Sequence, residues 1–114
     1  MARQVTKFQL DVLRMVAQLE PIAERERVAR EEGRISFERE LDDFWISSKM
    51  DVYLFRIDSA LDALTELGLV TSQRGRTSSY RYATTEDGRR MIAYHDSVAW
   101  YQQWRQGAAE KESA

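Results

Sequence analysis

Residues 60–70, with the sequence ALDALTELGLV, decide the fold because the spacing of their apolar side chains changes along the stretch. Leu61 and Leu64 belong to an apolar stripe at helical spacing, which predicts a helix from Val52 to Leu67. Gly68 follows at a position where helices commonly end in a left-handed residue. The apolar residues after it begin a short strand, so the stretch predicts a helix that leads directly into a strand.

A second strand follows in the sequence YRYATTEDGR, where Tyr80 to Ala83 alternate in polarity and are rich in aromatic side chains. The stretch from Ser72 to Ser79 is polar, which predicts the tip of a β-hairpin. Gly75 lies near its centre, and we expect a close approach and a positive φ there. A last helix is predicted to begin at Thr85, a good N-cap, and to end near Arg105.

Two further helices precede this unit. Thr6 begins a capping box and an amphipathic helix over residues 6–19. Ser36 is a good N-cap for a second amphipathic helix over roughly residues 37–46. Residues 47–51 are polar, and we expect them to form a short connection to the helix that follows.

The segment between the first two helices is dense in charge. Pro21 predicts a break or a new helix start, because proline has no backbone N–H. Glutamate and arginine alternate over residues 20–34, which predicts a solvated helix with many ion pairs that ends at Gly33. A helix that binds a partner is the alternative.

The composition limits the classes of function. The chain has 114 residues, a net charge of −2 and no cysteine, which fits one domain and excludes disulfides, thiolate metal sites and cysteine nucleophiles. His95 is the only histidine, so we expect no metal site and no cofactor. No apolar run approaches the ~20 residues that span a bilayer, so we expect a cytoplasmic protein. No nucleophile lies beside a base in a recognisable pattern, so we expect no enzyme.

The order of the elements is helix, charged helix, helix, helix, hairpin and helix, which is the order of a winged helix-turn-helix. In that architecture the hairpin is the wing, and the helix before it is the recognition helix, which lies in the major groove of DNA. The predicted fold class is mainly α with a small β-hairpin, a winged helix-turn-helix with a C-terminal dimerisation helix. We expect a DNA-binding domain over residues 1–88 with a charged insert at 20–35, a dimerisation helix over 89–106 and a frayed tail over 107–114.

Three stretches of the chain resemble the PadR-like family of winged-helix transcription regulators. Residues 60–70 are similar to the end of a recognition helix that runs into a wing, and residues 80–89 look like the second wing strand and the start of the next helix. Residues 6–13, TKFQLDVL, look like the first-helix entry of archaeal-type PadR-like regulators. The resemblance implies a homodimer that binds a pseudo-palindromic operator in double-stranded DNA, often as a repressor.

The wing carries the strongest local evidence for DNA binding. Between Gly68 and Thr85 the chain has three arginines and no acid, although acids outnumber bases in the whole chain. Contact with phosphates or entry into a minor groove would suit these side chains equally. An exposed hairpin that arginine merely makes soluble is the alternative. The predicted DNA-binding residues of the wing are Arg74, Arg76, Thr77, Ser78, Ser79 and Arg81.

The recognition helix and the turn before it supply a second set. Arg56 is the candidate for a base edge, since arginine pairs with guanine through two hydrogen bonds. Phe55 is expected in the core, and Tyr53 either there or on DNA. The aspartates of this helix, such as Asp58 and Asp62, would repel phosphate, so we expect them to point away, pair with arginine or read cytosine. The predicted set is Ser48, Lys49, Tyr53, Arg56 and Ser59.

The last helix is the candidate for a dimer interface. Its apolar side chains follow the three-four spacing of a coiled-coil seam, and a helix that projects from a small domain needs a partner for such a stripe. Packing against the first helix of the same chain is the alternative. We expect His95 to be a packing residue, and Trp100 and Trp104 to be candidates for a small-molecule effector site. The predicted interface residues are Met91, Tyr94, Val98, Tyr101 and Trp104.

A different class of function is compatible with the same fold. Winged helices that bind only proteins usually lack a basic wing and have an acidic or apolar recognition helix. The recognition helix of this chain carries aspartates, so a protein-interaction module without DNA binding is the alternative function.

Overall fold

The computed structural model describes the backbone of residues 5–76 and 80–113, and the side chains within them except those of residues 100, 101, 105 and 107–113. The described residues form four helices and one small antiparallel hairpin, most of which is exposed. In chain order the elements are α1 (Lys7–Glu31), α2 (Asp43–Met50), α3 (Leu54–Glu66), β1 (Val70–Arg74), β2 (Tyr80–Thr84) and α4 (Glu86–Ser113).

Helix α1 is continuous through Pro21, so the predicted break at this residue is wrong. A proline inside a helix removes one hydrogen bond, and here Pro21 lies on an exposed face of α1, away from the buried core residues. Arg27 supports the following turns through ion pairs with Glu24 at 2.5 Å and Glu31 at 2.6 Å. The capping box at Thr6 is confirmed, and the helix ends before Gly33, which has a φ of 75°.

Helix α2 begins six residues later than predicted. The side chain of Asp42, not Ser36, caps it by accepting a hydrogen bond from the Trp45 N–H at 2.9 Å. Residues 37–42 form no regular element, and the Leu41 carbonyl accepts a hydrogen bond from the Tyr82 N–H at 2.8 Å while its side chain is buried. Residues 47–50, predicted as a connection, form the last part of α2.

The unit of α3 and the hairpin agrees with its prediction. Gly68 follows α3 with a φ of 74°, and β1 pairs with β2 in antiparallel register from Val70 opposite Thr84 to Arg74 opposite Tyr80. The two strands are each longer than predicted. The buried core joins α1, α2, α3 and the start of β1, and it consists of Val12, Leu13, Val16, Leu19, Leu41, Trp45, Ile46, Ile57, Ala60, Leu61, Leu64, Leu69 and Val70.

Helix α4 begins on the core and then projects from it. Gly88 lets the helix approach β1, since a Cβ there would lie 2.2 Å from the Leu69 carbonyl oxygen. Met91 and Ile92 pack against the core, and Asp96 pairs with Arg14 of α1 at 2.6 Å. The helix includes residues 107–113, for which we predicted a frayed tail. No helix in the described part of the chain is both long and apolar enough to cross a membrane.

Candidate nucleic-acid interface

Helix α3 presents two aromatic side chains to solvent at its start. Tyr53 is 78% exposed and Phe55 is 69% exposed, and their rings stack with centroids 6.1 Å apart. The prediction that Phe55 belongs to the core is wrong. Ile57 and Leu61 are fully buried, and at 100° per residue Phe55 points away from them.

Polar and basic residues flank these aromatic side chains. The Arg56 guanidinium lies over the Phe8 ring of α1, 4.4 Å from its centroid, which fixes the position of its charge. Ser59 is exposed one turn along α3. Ser48 and Lys49 are exposed at the end of α2, so all of the residues predicted in this region are accessible.

The register of the hairpin divides the predicted wing arginines between two faces. Arg74 lies directly opposite Tyr80, on the face that also carries Tyr82. Arg81 lies on the other face, opposite Gln73, and its guanidinium donates to the Gln73 side-chain oxygen at 3.0 Å. The two side chains therefore lie on opposite faces of the hairpin and do not form a single cluster.

Arg76 is held by the protein's own acids, which the sequence analysis missed. Its guanidinium pairs with the Glu38 carboxylate, and its backbone N–H donates to Glu40 Oε1 at 2.6 Å. Glu38 and Glu40 both belong to the irregular segment before α2, and both contact the end of the wing. Arg74 has no ion pair within the described residues. Thr77, Ser78 and Ser79 lie outside them, so their predicted contacts stay predictions.

Glycine at position 75 lets the wing backbone lie close to the Glu40 side chain. A Cβ on this residue would lie 2.2 Å from Glu40 Oε2. Its φ is not positive, so the predicted left-handed conformation at the tip is wrong.

An acidic cluster lies between α3 and the wing. Loss of hydration raises the pKa of Asp58 from its ordinary 3.8 to about 6, and a hydrogen bond to Asp43 and the charges of Asp43 and Asp62 add to the rise. Burial and then the same three carboxylates raise the pKa of Tyr82 to about 12. Asp58 and Asp62 thus adjoin the wing face that carries Tyr82, with no arginine paired to either within the described part of the chain. No group of three His, Cys, Asp or Glu side chains among the described residues forms an arrangement suited to a metal ion.

The predicted interface residues on α4 differ in their surroundings. Met91 packs partly against the core, and Val98 is half-buried. Tyr94 is 65% exposed and meets the His95 ring edge-on at 5.5 Å, and Trp104 is 59% exposed. The side chains of Trp100 and Tyr101 lie outside the described set, so the effector site and the part of Tyr101 in an interface stay predictions.

No family model and no curated protein matches the chain, so the comparison with known proteins rests on solved structures. The crystal structure of Lactococcus lactis ZitR, described as a zinc-responsive MarR family member, is 15% identical with a TM-score of 0.57, covering 91% of this chain and 63% of that one. A doubly substituted ZitR is 16% identical with a TM-score of 0.58, covering 90% of this chain and 61% of that one. The chain has a winged helix-turn-helix fold.

The winged helix described here spans about three fifths of the length of the ZitR chains that it matches. At this level of identity the likeness shows the fold. The PadR-like assignment is finer than what these structures support, because those matches carry the MarR family name.

Proposed function

We propose that this winged helix is a double-stranded DNA-binding transcription regulator that acts as a homodimer in the cytoplasm, and that it is a PadR-like repressor of a pseudo-palindromic operator. The observation that carries the proposal is the surface formed by the exposed start of α3 and the Arg74 face of the wing. Helix α3 contacts β1 of the wing directly, and the carboxylates of Asp58 and Asp62 on α3 act electrostatically on Tyr82 of β2. A recognition helix beside a wing is the arrangement that enters a major groove while the wing meets the backbone.

Three cations of this surface suit phosphates or bases. Arg56, anchored over Phe8, is the candidate for a guanine edge, and Lys49 and Arg74 are the candidates for phosphates. Ser48, Tyr53 and Ser59 add exposed hydroxyl groups beside them. A dimer that places Lys49 and Arg74 of both protomers on phosphates neutralises about four phosphates, which gives a slope of about −3.5 for log affinity against log salt.

The geometry of α4 supports the dimer. Asp96 faces α1, because it pairs with Arg14. At 100° per residue, Tyr94 and Val98 project about 160° away from Asp96, toward the side of α4 that is turned from α1. Exposed aromatic surface on a projecting helix is typical of an interface between protomers.

The experiment is a titration of random-sequence duplex DNA, followed by fluorescence anisotropy at two salt concentrations. We expect salt-sensitive binding, and Arg74→Ala should make the slope about 2 less negative, since a dimer loses two phosphate contacts. Arg81→Ala is the matched control, because it removes the same charge from the opposite face of the same wing. Absence of binding at low salt in a folded dimer would contradict the proposal.

A second candidate function is a winged helix that binds protein. It is favoured by the stacked, exposed rings of Tyr53 and Phe55 on a helix whose neighbouring side chains include Asp58 and Asp62. An acidic and aromatic face suits a basic partner rather than a phosphate backbone. The same titration separates the two functions, because a protein-binding face gives no salt-dependent affinity for duplex DNA.

A further inference from the structure

The end of the wing is tied to the irregular segment before α2 by a compact set of contacts. The Arg76 guanidinium meets the Glu38 carboxylate, and the Arg76 N–H donates to Glu40 Oε1 at 2.6 Å. Gly75 leaves room for the Glu40 carboxylate against the backbone. We propose that these four residues, the wing latch, form an autoinhibitory contact that withholds Arg76 from DNA until the latch opens; this inference rests on the proposed DNA-binding function.

Glu38 keeps a second cation beside it when Arg76 leaves. Its side chain is only 12% exposed, and the same Oε1 atom accepts from Arg30 of α1 at 3.0 Å. A carboxylate removed from water needs a cation beside it, and Arg30 remains when Arg76 leaves. The Arg76 side chain is 59% exposed, so a phosphate can approach it and compete with Glu38.

Glu40 makes the closed latch imperfect. Its Oε1 atom accepts from the Arg76 N–H, whereas its Oε2 atom is buried and has no hydrogen-bond partner within the described residues. A buried carboxylate oxygen without a partner costs free energy, and that cost disappears when the wing end moves away. The closed state is therefore only moderately favoured over the open one.

The latch has a defined effect on binding. In the closed state Arg74 is the wing cation available to phosphates on the face beside α3. Opening the latch frees Arg76, which adds one further cation to each wing. A closed latch lowers the affinity for arbitrary DNA, because this affinity depends on the number of phosphates neutralised. Close contact with a DNA backbone supplies the competing anion that opens it.

The first test compares Glu38→Gln with Glu24→Gln in the duplex titration. Glu24 lines the same cleft between α1 and the wing but pairs with Arg27, so the control removes the same charge without touching the latch. We expect Glu38→Gln to bind about three- to tenfold more tightly at low salt, with a slope about 2 more negative per dimer. Glu24→Gln should show less than half of the gain. An equal gain in both variants would overturn the latch, because it would come from net charge alone.

The double variant Glu38→Gln/Arg76→Ala establishes whether the gain acts through Arg76. The gain should vanish in the double variant, whereas additive effects of the two substitutions would contradict the inference.

A DNA-free measurement separates failure of the latch from failure of the proposed function. Gly75→Ala places a Cβ against the Glu40 carboxylate, whose flexible side chain then swings away from the Arg76 N–H. We expect faster hydrogen exchange of the Arg76 amide in this variant, together with tighter DNA binding. Faster exchange with unchanged affinity for DNA would overturn the latch and leave the DNA-binding proposal standing. Unchanged exchange would show that the tie is absent and also overturn the latch. If neither wild type nor any variant binds DNA, both proposals fail.

Discussion

Glu20 of α1 accepts two hydrogen bonds from Thr84 at the end of β2, from the N–H at 2.5 Å and from the hydroxyl at 2.6 Å. Thr84 is only 7% exposed, and Arg89 of α4 donates to its carbonyl oxygen at 3.0 Å. One carboxylate therefore joins the middle of α1 to the strand that leads from the wing into α4. This contact fixes the direction of the wing relative to the rest of the domain.

Removal of that carboxylate should destabilise the domain. Glu20→Ala removes the acceptor of both the Thr84 N–H and the Thr84 O–H in a nearly dry place, and we expect the free energy of unfolding to fall by about 2 kcal/mol. Urea denaturation measures the change. Glu24→Ala, four residues along the same helix and exposed, should change it by less than about 0.5 kcal/mol. Equal effects of the two substitutions would mean that the Thr84 contact contributes nothing.

Two neighbouring apolar residues of α3 should behave in opposite ways. Ile57 is fully buried, so Ile57→Ala should lower the free energy of unfolding by about 2–4 kcal/mol through the cavity that it leaves. Phe55 is exposed, and Phe55→Ala should leave stability within about 0.5 kcal/mol of wild type while it weakens binding of the DNA or protein partner. Thermal unfolding and the duplex titration, run on both variants, check this contrast. A large loss of stability in Phe55→Ala would place its ring in the core.

The parts of the fold that were predictable are those that local spacing decides. The apolar period of α3 and Gly68 after it lie within about seventeen residues, and both agree with the structure, whereas the strands of the hairpin extend further than predicted. The start of α2 was not predictable in this way, because Ser36 and Asp42 are both good N-caps. A hydrogen bond from the Tyr82 N–H to the Leu41 carbonyl, between residues far apart in the chain, keeps the residues before Asp42 out of the helix.

The ion pairs of the wing could also not be predicted from local sequence. Counted along the sequence, the hairpin is purely basic, since its arginines have no acid near them in the chain. Glu38 and Glu40 reach Arg76 only after the segment before α2 has paired with β2. Their spacing of two residues would have placed both on one side of a strand, but that signal is lost when the segment is assigned to a helix.

The acidic cluster beside the wing should give the stability a pH dependence. The pKa of Asp58 is about 6 in the folded protein and near 3.8 when the chain is unfolded. The folded state therefore binds more protons between these values, and the stabilisation present below pH 4 is lost as the pH rises through 6. Asp58→Asn should remove this dependence and raise the free energy of unfolding at pH 7 by about 1 kcal/mol, after allowance for solvent screening.

Urea denaturation at pH 5 and pH 7.5 measures this difference. Asp11→Asn, which changes an exposed aspartate of α1, is the control and should keep the wild-type profile. If Asp58→Asn loses stability at both pH values, the carboxylate of Asp58 makes a favourable contact instead.

The proposed dimer uses the side of α4 that faces away from α1. Tyr94→Glu places a charge on that side, where it would be removed from water between two protomers, so we expect monomers in sedimentation velocity experiments. Gln103 lies seven residues after Asp96, so it is on the same side of α4 as Asp96 and on the opposite side from Tyr94. Gln103→Glu should therefore leave the dimer intact. Because two linked protomers bind an operator more tightly than one, Tyr94→Glu should also lower affinity for DNA by at least about 100-fold. A dimer that survives Tyr94→Glu but dissociates in Gln103→Glu would move the interface to the other face of α4.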